Sequence, residues 1–373
     1  MSDIKLFHLN DFPLKTGGSI PGAYIAYKTY GDASNPAIIY PTWYSGLISD
    51  NEWLIGDDMA LDPKKYFIIV PALFGNGESK SPSNSPELRP FPKVTFYDNV
   101  TAQYRLVTEE FHINHVKCVL GWSMGAGQTY QWITQYPNFV KLAVPFCGSA
   151  RTSMHNQVFL EGVKCALLAA KGASSGGICS GEATPDSQYR GWTVEESECG
   201  LKSLGRVYAG WGLSQAFYRE RLYETYLGYK DLEDFMIKFW EGWATSKGNF
   251  FRFILYGSCY KKKWVLTPRF IDAENMLVML HTWQSGDCSD QEPYNKDLEL
   301  ALRSIKAKTL VLPSKTDLYF PPEDSEFEVK HMSPGIGECI AFPSIWGHWA
   351  GGPGQSKEDV KWLDDKLKTL LSN

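Results

Sequence analysis

Val116-Lys-Cys-Val-Leu120 runs directly into Gly121-Trp122-Ser123-Met124-Gly125, and a helix-like stretch, Gln128 to Gln135, follows. A short apolar run that ends on glycine and gives way to helical periodicity reads as a strand-turn-helix unit. Small residues on either side of a serine tolerate a strained turn that lifts its hydroxyl above the sheet edge, so Ser123 is the candidate nucleophile. The pentapeptide alone is a weak signal, because glycine and serine are common. Its place after a buried strand gives it weight.

Similar runs lie on both sides of this unit. Pro36 to Tyr40 precedes Pro41 and Gly46, Tyr66 to Pro71 precedes Gly75-Asn-Gly77, and Leu142 to Phe146 precedes Cys147-Gly148. A helix is expected from Asp98 to Phe111. Repeated strand-helix units imply a mostly parallel sheet flanked by helices, an α/β fold. After Ala150 the pattern turns helical, with amphipathic segments at Asn156–Ala170, Gln215–Tyr226, Leu232–Thr245 and Ala273–Gln284, interrupted by a Gly/Ser-rich patch from Lys171 to Gly181. Strand-like runs return at Lys308–Pro313 and Glu338–Phe342, and a closing helix is expected over Lys357–Leu371. The expected organisation is core 1–150, helical insertion 151–300 and core 301–373.

Composition sets the limits. The chain has 373 residues, 43% of them hydrophobic and 21% charged, which fits a large globular unit and excludes disordered and collagenous classes. A net charge of −5 with no long single-sign block argues against nucleic acid as a partner. The longest basic run, Lys261-Lys262-Lys263, reads as a solvated face. No stretch approaches the ~20 apolar residues of a membrane span, and Asp3 and Lys5 stand where a signal peptide needs an apolar run. A cytoplasmic protein with no membrane partner is expected. Eight cysteines without CxxC pairs fit buried free thiols, and neither a metal nor another cofactor is indicated. Aromatic residues make up 14% of the chain, and between Tyr189 and Trp264 about one residue in four is aromatic.

A serine nucleophile needs a base held by a third group. Acid and then base are expected late in the chain, each on a loop after a strand. Asp317 lies just beyond the strand 308–313 and is preferred as the acid over Glu323 and Asp324, the alternative reading being an Asx-type turn residue with no catalytic partner. His348, in Phe342-Pro-Ser-Ile-Trp-Gly-His348, is the expected base. His8, His112, His115 and His331 read as surface residues, and His155 and His281 as parts of the insertion. Two backbone amides must hold the oxyanion. Met124 supplies one, and the loop Pro41 to Gly46 the other, through Trp43 or alternatively Tyr44.

Several motifs carry a resemblance. Thr95 to Gln103, Gly121 to Gln128, Tyr136-Pro137, Ala150-Arg-Thr-Ser-Met-His-Asn156, Asp272 to Met276, Phe74 to Ser79, and the Asp317 and Gly347-His348 segments resemble the homoserine O-acetyltransferase branch of the α/β-hydrolase superfamily. The resemblance covers most of the chain. It implies an α/β-hydrolase fold with a helical lid, a Ser123/Asp317/His348 triad, an acyl-enzyme route and dimers formed through the lid helices. Family members that acylate homoserine follow the histidine with an aspartate that holds the substrate ammonium, and here Trp349 follows. Trp122 and Gly127 also depart from the usual small and larger residues. An indole has one N–H and no charge, so a zwitterion loses its counter-ion. Trp122, Trp349 and Tyr44 are therefore expected to contact an apolar or aromatic small-molecule substrate. The leading expectation is a serine hydrolase of acetyl or short acyl esters. The alternatives are transfer of acetyl from acetyl-CoA to an alcohol, and a non-hydrolytic binder or cyclase that reuses the pocket.

Overall fold

The computed structural model describes residues 3–171, 191–245 and 271–372. The Lys261–Lys263 run, Cys179, Cys259 and nearly all of the Gly/Ser-rich patch lie outside these residues, as does part of the aromatic-rich stretch up to Trp264.

Eight strands form one sheet in the order β1-β2-β4-β3-β5-β6-β7-β8. Strands β3 (Ala37–Ile39), β4 (Phe67–Pro71), β5 (Val116–Trp122), β6 (Val140–Phe146), β7 (Lys308–Val311) and β8 (Gly337–Cys339) are mutually parallel. The strands β1 (Lys5–Pro13) and β2 (Ser19–Tyr30) join antiparallel at one edge. Their mixed polarity and a register shift at Asn10 hide them from a search for continuous apolar runs.

The central parallel strands β3 to β7 are buried on both faces, while β8 at the edge is partly exposed, and the pleat sends alternate residues to opposite sides. Ile38, Cys118, Leu120, Leu142, Val144 and Leu310 face one apolar cluster, with Leu363 and Leu367 of the closing helix and the aromatic residues of the helical segment. Ile39, Val119, Ala143 and Val311 face the other, with Val100, Tyr130, Trp132 and Leu302.

Helix α1 (Phe96–Arg105) begins at Thr95, whose amide donates to Asp98 Oδ2 at 2.8 Å, and runs into a wider π turn over Leu106–Glu110. Helix α2 (Met124–Gln135) follows β5. Between β6 and β7 the described residues are largely helical. They include α3 (Met154–Ala169), α4 (Val194–Gly212), short helices from Gln215 to Thr225, an unbroken helical stretch Leu232–Thr245 with a π segment over Met236–Glu241 that matches the expected helix, α5 (Ala273–Gln284) and α6 (Leu298–Ser304). Gln215–Tyr226 is two short helices rather than one, because Arg221 has φ 54° between them. Helices α7 (Pro322–His331) and α8 (Lys357–Leu371) complete the fold, and the latter matches the sequence expectation residue for residue.

Among the described residues no helix is long and apolar enough to cross a membrane, and no group of side chains could hold a metal ion. The six described cysteines are free. Cys118, Cys147 and Cys288 are buried, but Cys199 is exposed on α4, against the expectation of uniformly buried thiols.

Candidate active site

Ser123 sits where β5 turns into α2, with φ 58° and ψ −123°, a strained backbone for a residue with a Cβ. The flanking glycines explain how the turn closes. A Cβ on Gly121 would lie 2.3 Å from the backbone carbon and oxygen of Gly125, and one on Gly148 would lie 2.6 Å from the Ser123 carbonyl oxygen. The fold therefore requires glycine at these places whatever the chemistry above them.

The loops after β7 and β8 bring Asp317 and His348 to the serine. Ser123 Oγ lies 2.9 Å from His348 Nε2, and His348 Nδ1 lies 2.8 Å from Asp317 Oδ2. A carboxylate only accepts, so Nδ1 carries the proton and Nε2 is left to accept from Ser123. The other oxygen of Asp317 accepts from the Tyr319 amide at 2.7 Å and the Phe320 amide at 3.3 Å. Asp317 thus makes an Asx-type turn and holds the imidazole at once, so the two sequence readings coexist. Glu323 and Asp324 begin α7 instead. All three side chains of the chain Ser123, His348 and Asp317 are buried.

The amides expected for the oxyanion site are unspent. Among the described residues the N–H groups of Met124, Trp43 and Tyr44 have no hydrogen-bond acceptor, so either residue of the Pro41–Gly46 loop can partner Met124. Met124 also opens α2, which places the positive end of the helix at the serine.

Trp43, Tyr44, Trp122 and Trp349 all line a cavity beside Ser123. Ser45, Asp50, Tyr208, Trp243 and Pro353 complete its described wall, and none of these was singled out in the sequence. The cavity is small, about 20 Å³. Tyr208 and Trp243 come from the helical segment, where aromatic density was the available signal, but density alone does not say which ring faces the serine. Asp50 Oδ2 accepts from the Leu47 amide at 2.8 Å. Tyr44 stacks on Tyr208 with centroids 5.9 Å apart, and burial pushes both phenols up, so both stay neutral donors. Trp349 meets Trp240 edge to face at 5.2 Å. Trp122 does more than line the wall: its ring stacks on the His348 imidazole at 4.8 Å, and its Nε1–H donates to the His348 carbonyl oxygen at 3.0 Å.

A buried serine, aspartate and histidine at the carboxyl ends of parallel strands, in that chain order, define an α/β-hydrolase. The chain is 34% identical over 377 residues to an ethyl acetate hydrolase of Pseudomonas veronii, covering 99% of this chain and 95% of the relative. It is 33% identical over 351 residues to a homoserine O-acetyltransferase of Chlorobaculum parvum, covering 90% and 87%. The crystal structure of an acetylester hydrolase from Corynebacterium glutamicum superposes with a TM-score of 0.82 at 30% identity, covering 99% of this chain and 96% of that one. No protein-family model matches the chain. The chain belongs to the homoserine O-acetyltransferase-like branch of the α/β-hydrolase superfamily, and it is an enzyme, a hydrolase or a related acyltransferase.

Proposed function

We propose that the protein is a serine esterase that cleaves acetyl or similarly short acyl esters of apolar alcohols. The observation that carries this reading is the continuous Ser123–His348–Asp317 chain beside a small cavity walled mainly by aromatic rings. Ser123 Oγ attacks the ester carbonyl as His348 Nε2 takes its proton, and the amides of Met124 and of Trp43 or Tyr44 hold the oxyanion. The ester C–O bond breaks, Nε2 returns the proton to the leaving alkoxide, and the alcohol departs. Water then attacks the acyl-enzyme with the same base, releasing acid and free Ser123. Asp317 orients the imidazole throughout. Trp122, Trp349 and Tyr44 contact the substrate at the wall. Free thiols are in keeping with a cytoplasmic location, and pairing through the lid helices is a further part of this reading.

Transfer of the acetyl group from acetyl-CoA to an alcohol uses the same residues, and the 33% identity to a homoserine O-acetyltransferase keeps it as the second reading. A fluorophosphonate probe is expected to label the wild type and not Ser123→Ala. An acetyl ester with and without excess alcohol separates the two readings. Free acetate as the main product under both conditions supports the esterase. Acetylated alcohol as the main product sinks it in favour of transfer.

A further inference from the structure

We propose that Trp122, the residue before the nucleophile, is the positioning residue of His348, a role that rests on the esterase reading above. Its backbone closes β5 and pairs with Phe146 of β6, so the indole projects from the rigid centre of the sheet. His348 lies on a loop whose only regular element between β8 and α8 is the single turn Gly347–Trp349. Such a loop needs an external hold.

Trp122 holds it at two points. The Nε1–H bond to the His348 carbonyl fixes the backbone, and the stacked ring, 25° from parallel, fixes the imidazole plane. Tyr319 stands against the same imidazole at 4.6 Å. Trp122 is itself wedged edge to face against Trp43 at 5.1 Å and Trp349 at 5.7 Å. Gly352 leaves the space for it, since a Cβ there would lie 2.9 Å from the ring carbons Cδ2 and Cε2.

The stacking also bears on charge. When Ser123 attacks, the imidazole takes a proton and becomes a cation, and the electron-rich face of an indole attracts a cation held over it. The interaction is stronger in the transition state than in the resting enzyme, so it raises kcat rather than lowering KM.

Trp122→Leu keeps most of the bulk and removes both holds. It is expected to lower kcat by about 30- to 100-fold while KM stays within about threefold. Trp122→Phe, which restores a ring face, is expected to recover most of the rate. Gly352→Ala pushes the indole away without altering its chemistry and is expected to give the same loss in kcat, which keeps the proposal testable if Trp122→Leu does not fold. An unchanged kcat with a raised KM in these variants, in a wild type that the fluorophosphonate labels at Ser123, overturns the positioning role and returns Trp122 to a substrate wall. A wild type that is not labelled overturns the esterase reading and this proposal together.

Discussion

The Gly347 amide donates to the Thr316 hydroxyl oxygen at 3.0 Å, and the same hydroxyl donates to the Ser344 carbonyl at 3.0 Å. One side chain thereby joins the loop that carries Asp317 to the loop that carries His348. Thr316→Val keeps the shape and removes the hydroxyl. It is expected to lower kcat by about tenfold through misplacement of the base, and to cost ~1–3 kcal/mol from the unsatisfied amide and carbonyl. Steady-state kinetics and urea unfolding read the two effects, and an unchanged kcat would show that the loops register independently.

Trp243, from the helical segment between β6 and β7, donates its Nε1–H to Ser45 Oγ at 3.1 Å and closes one side of the cavity. Trp243→Leu opens that wall. The ratio of kcat/KM for a butyryl ester over an acetyl ester is expected to rise by about tenfold or more. A ratio that does not move would place the acyl group elsewhere in the cavity.

Glu328 is fully buried on α7, accepting from the Tyr130 hydroxyl at 2.5 Å and the Ala150 amide at 2.5 Å. Burial raises its carboxyl from 4.5 to about 8. The folded protein therefore keeps a proton that the unfolded chain releases above about pH 4.5. The stability tied to that proton is fully present below pH 4.5 and is lost as pH rises through about 8. Urea unfolding of the wild type is expected to weaken relative to Glu328→Gln between about pH 5 and 9. A constant difference across that range would mean that Glu328 is ionised throughout.

Trp349 is buried against Trp240 and Trp122, and a Cβ on Gly212 would lie 2.6 Å from its ring. Trp349→Asp restores the carboxylate of the homoserine-acylating relatives but empties an aromatic site. It is expected to cost ~3–5 kcal/mol by thermal or urea unfolding, and not to acetylate homoserine, because Trp122 still occupies the adjacent wall. Homoserine acetylation by this single variant would refute that block.

The parallel strands and the elbow were legible because their signals are local: continuous apolar runs, a glycine-bounded turn, and helical periodicity as clean as that of Lys357–Leu371. The antiparallel edge was not. Lys5–Pro13 alternates imperfectly, and its register shift at Asn10 breaks the period of two. Helix α4 was also missed, although Leu201, Leu204 and Tyr208 recur at helical spacing along its buried face.

At the site, chain order pointed to Ser123 and His348, and Asp317 was preferred over Glu323 and Asp324 because it directly follows a strand. The sequence by itself determined the parallel strands, the elbow and the order of the three residues, since each follows from apolar runs and turns that are local in the chain. Only the tertiary structure decided the rest. It showed that Trp122 grips His348 across 226 positions, that Thr316 ties two loops, and that Tyr208 and Trp243 close the cavity. Those relationships depend on where side chains from distant elements meet in a packed interior, and no local pattern of residues encodes that.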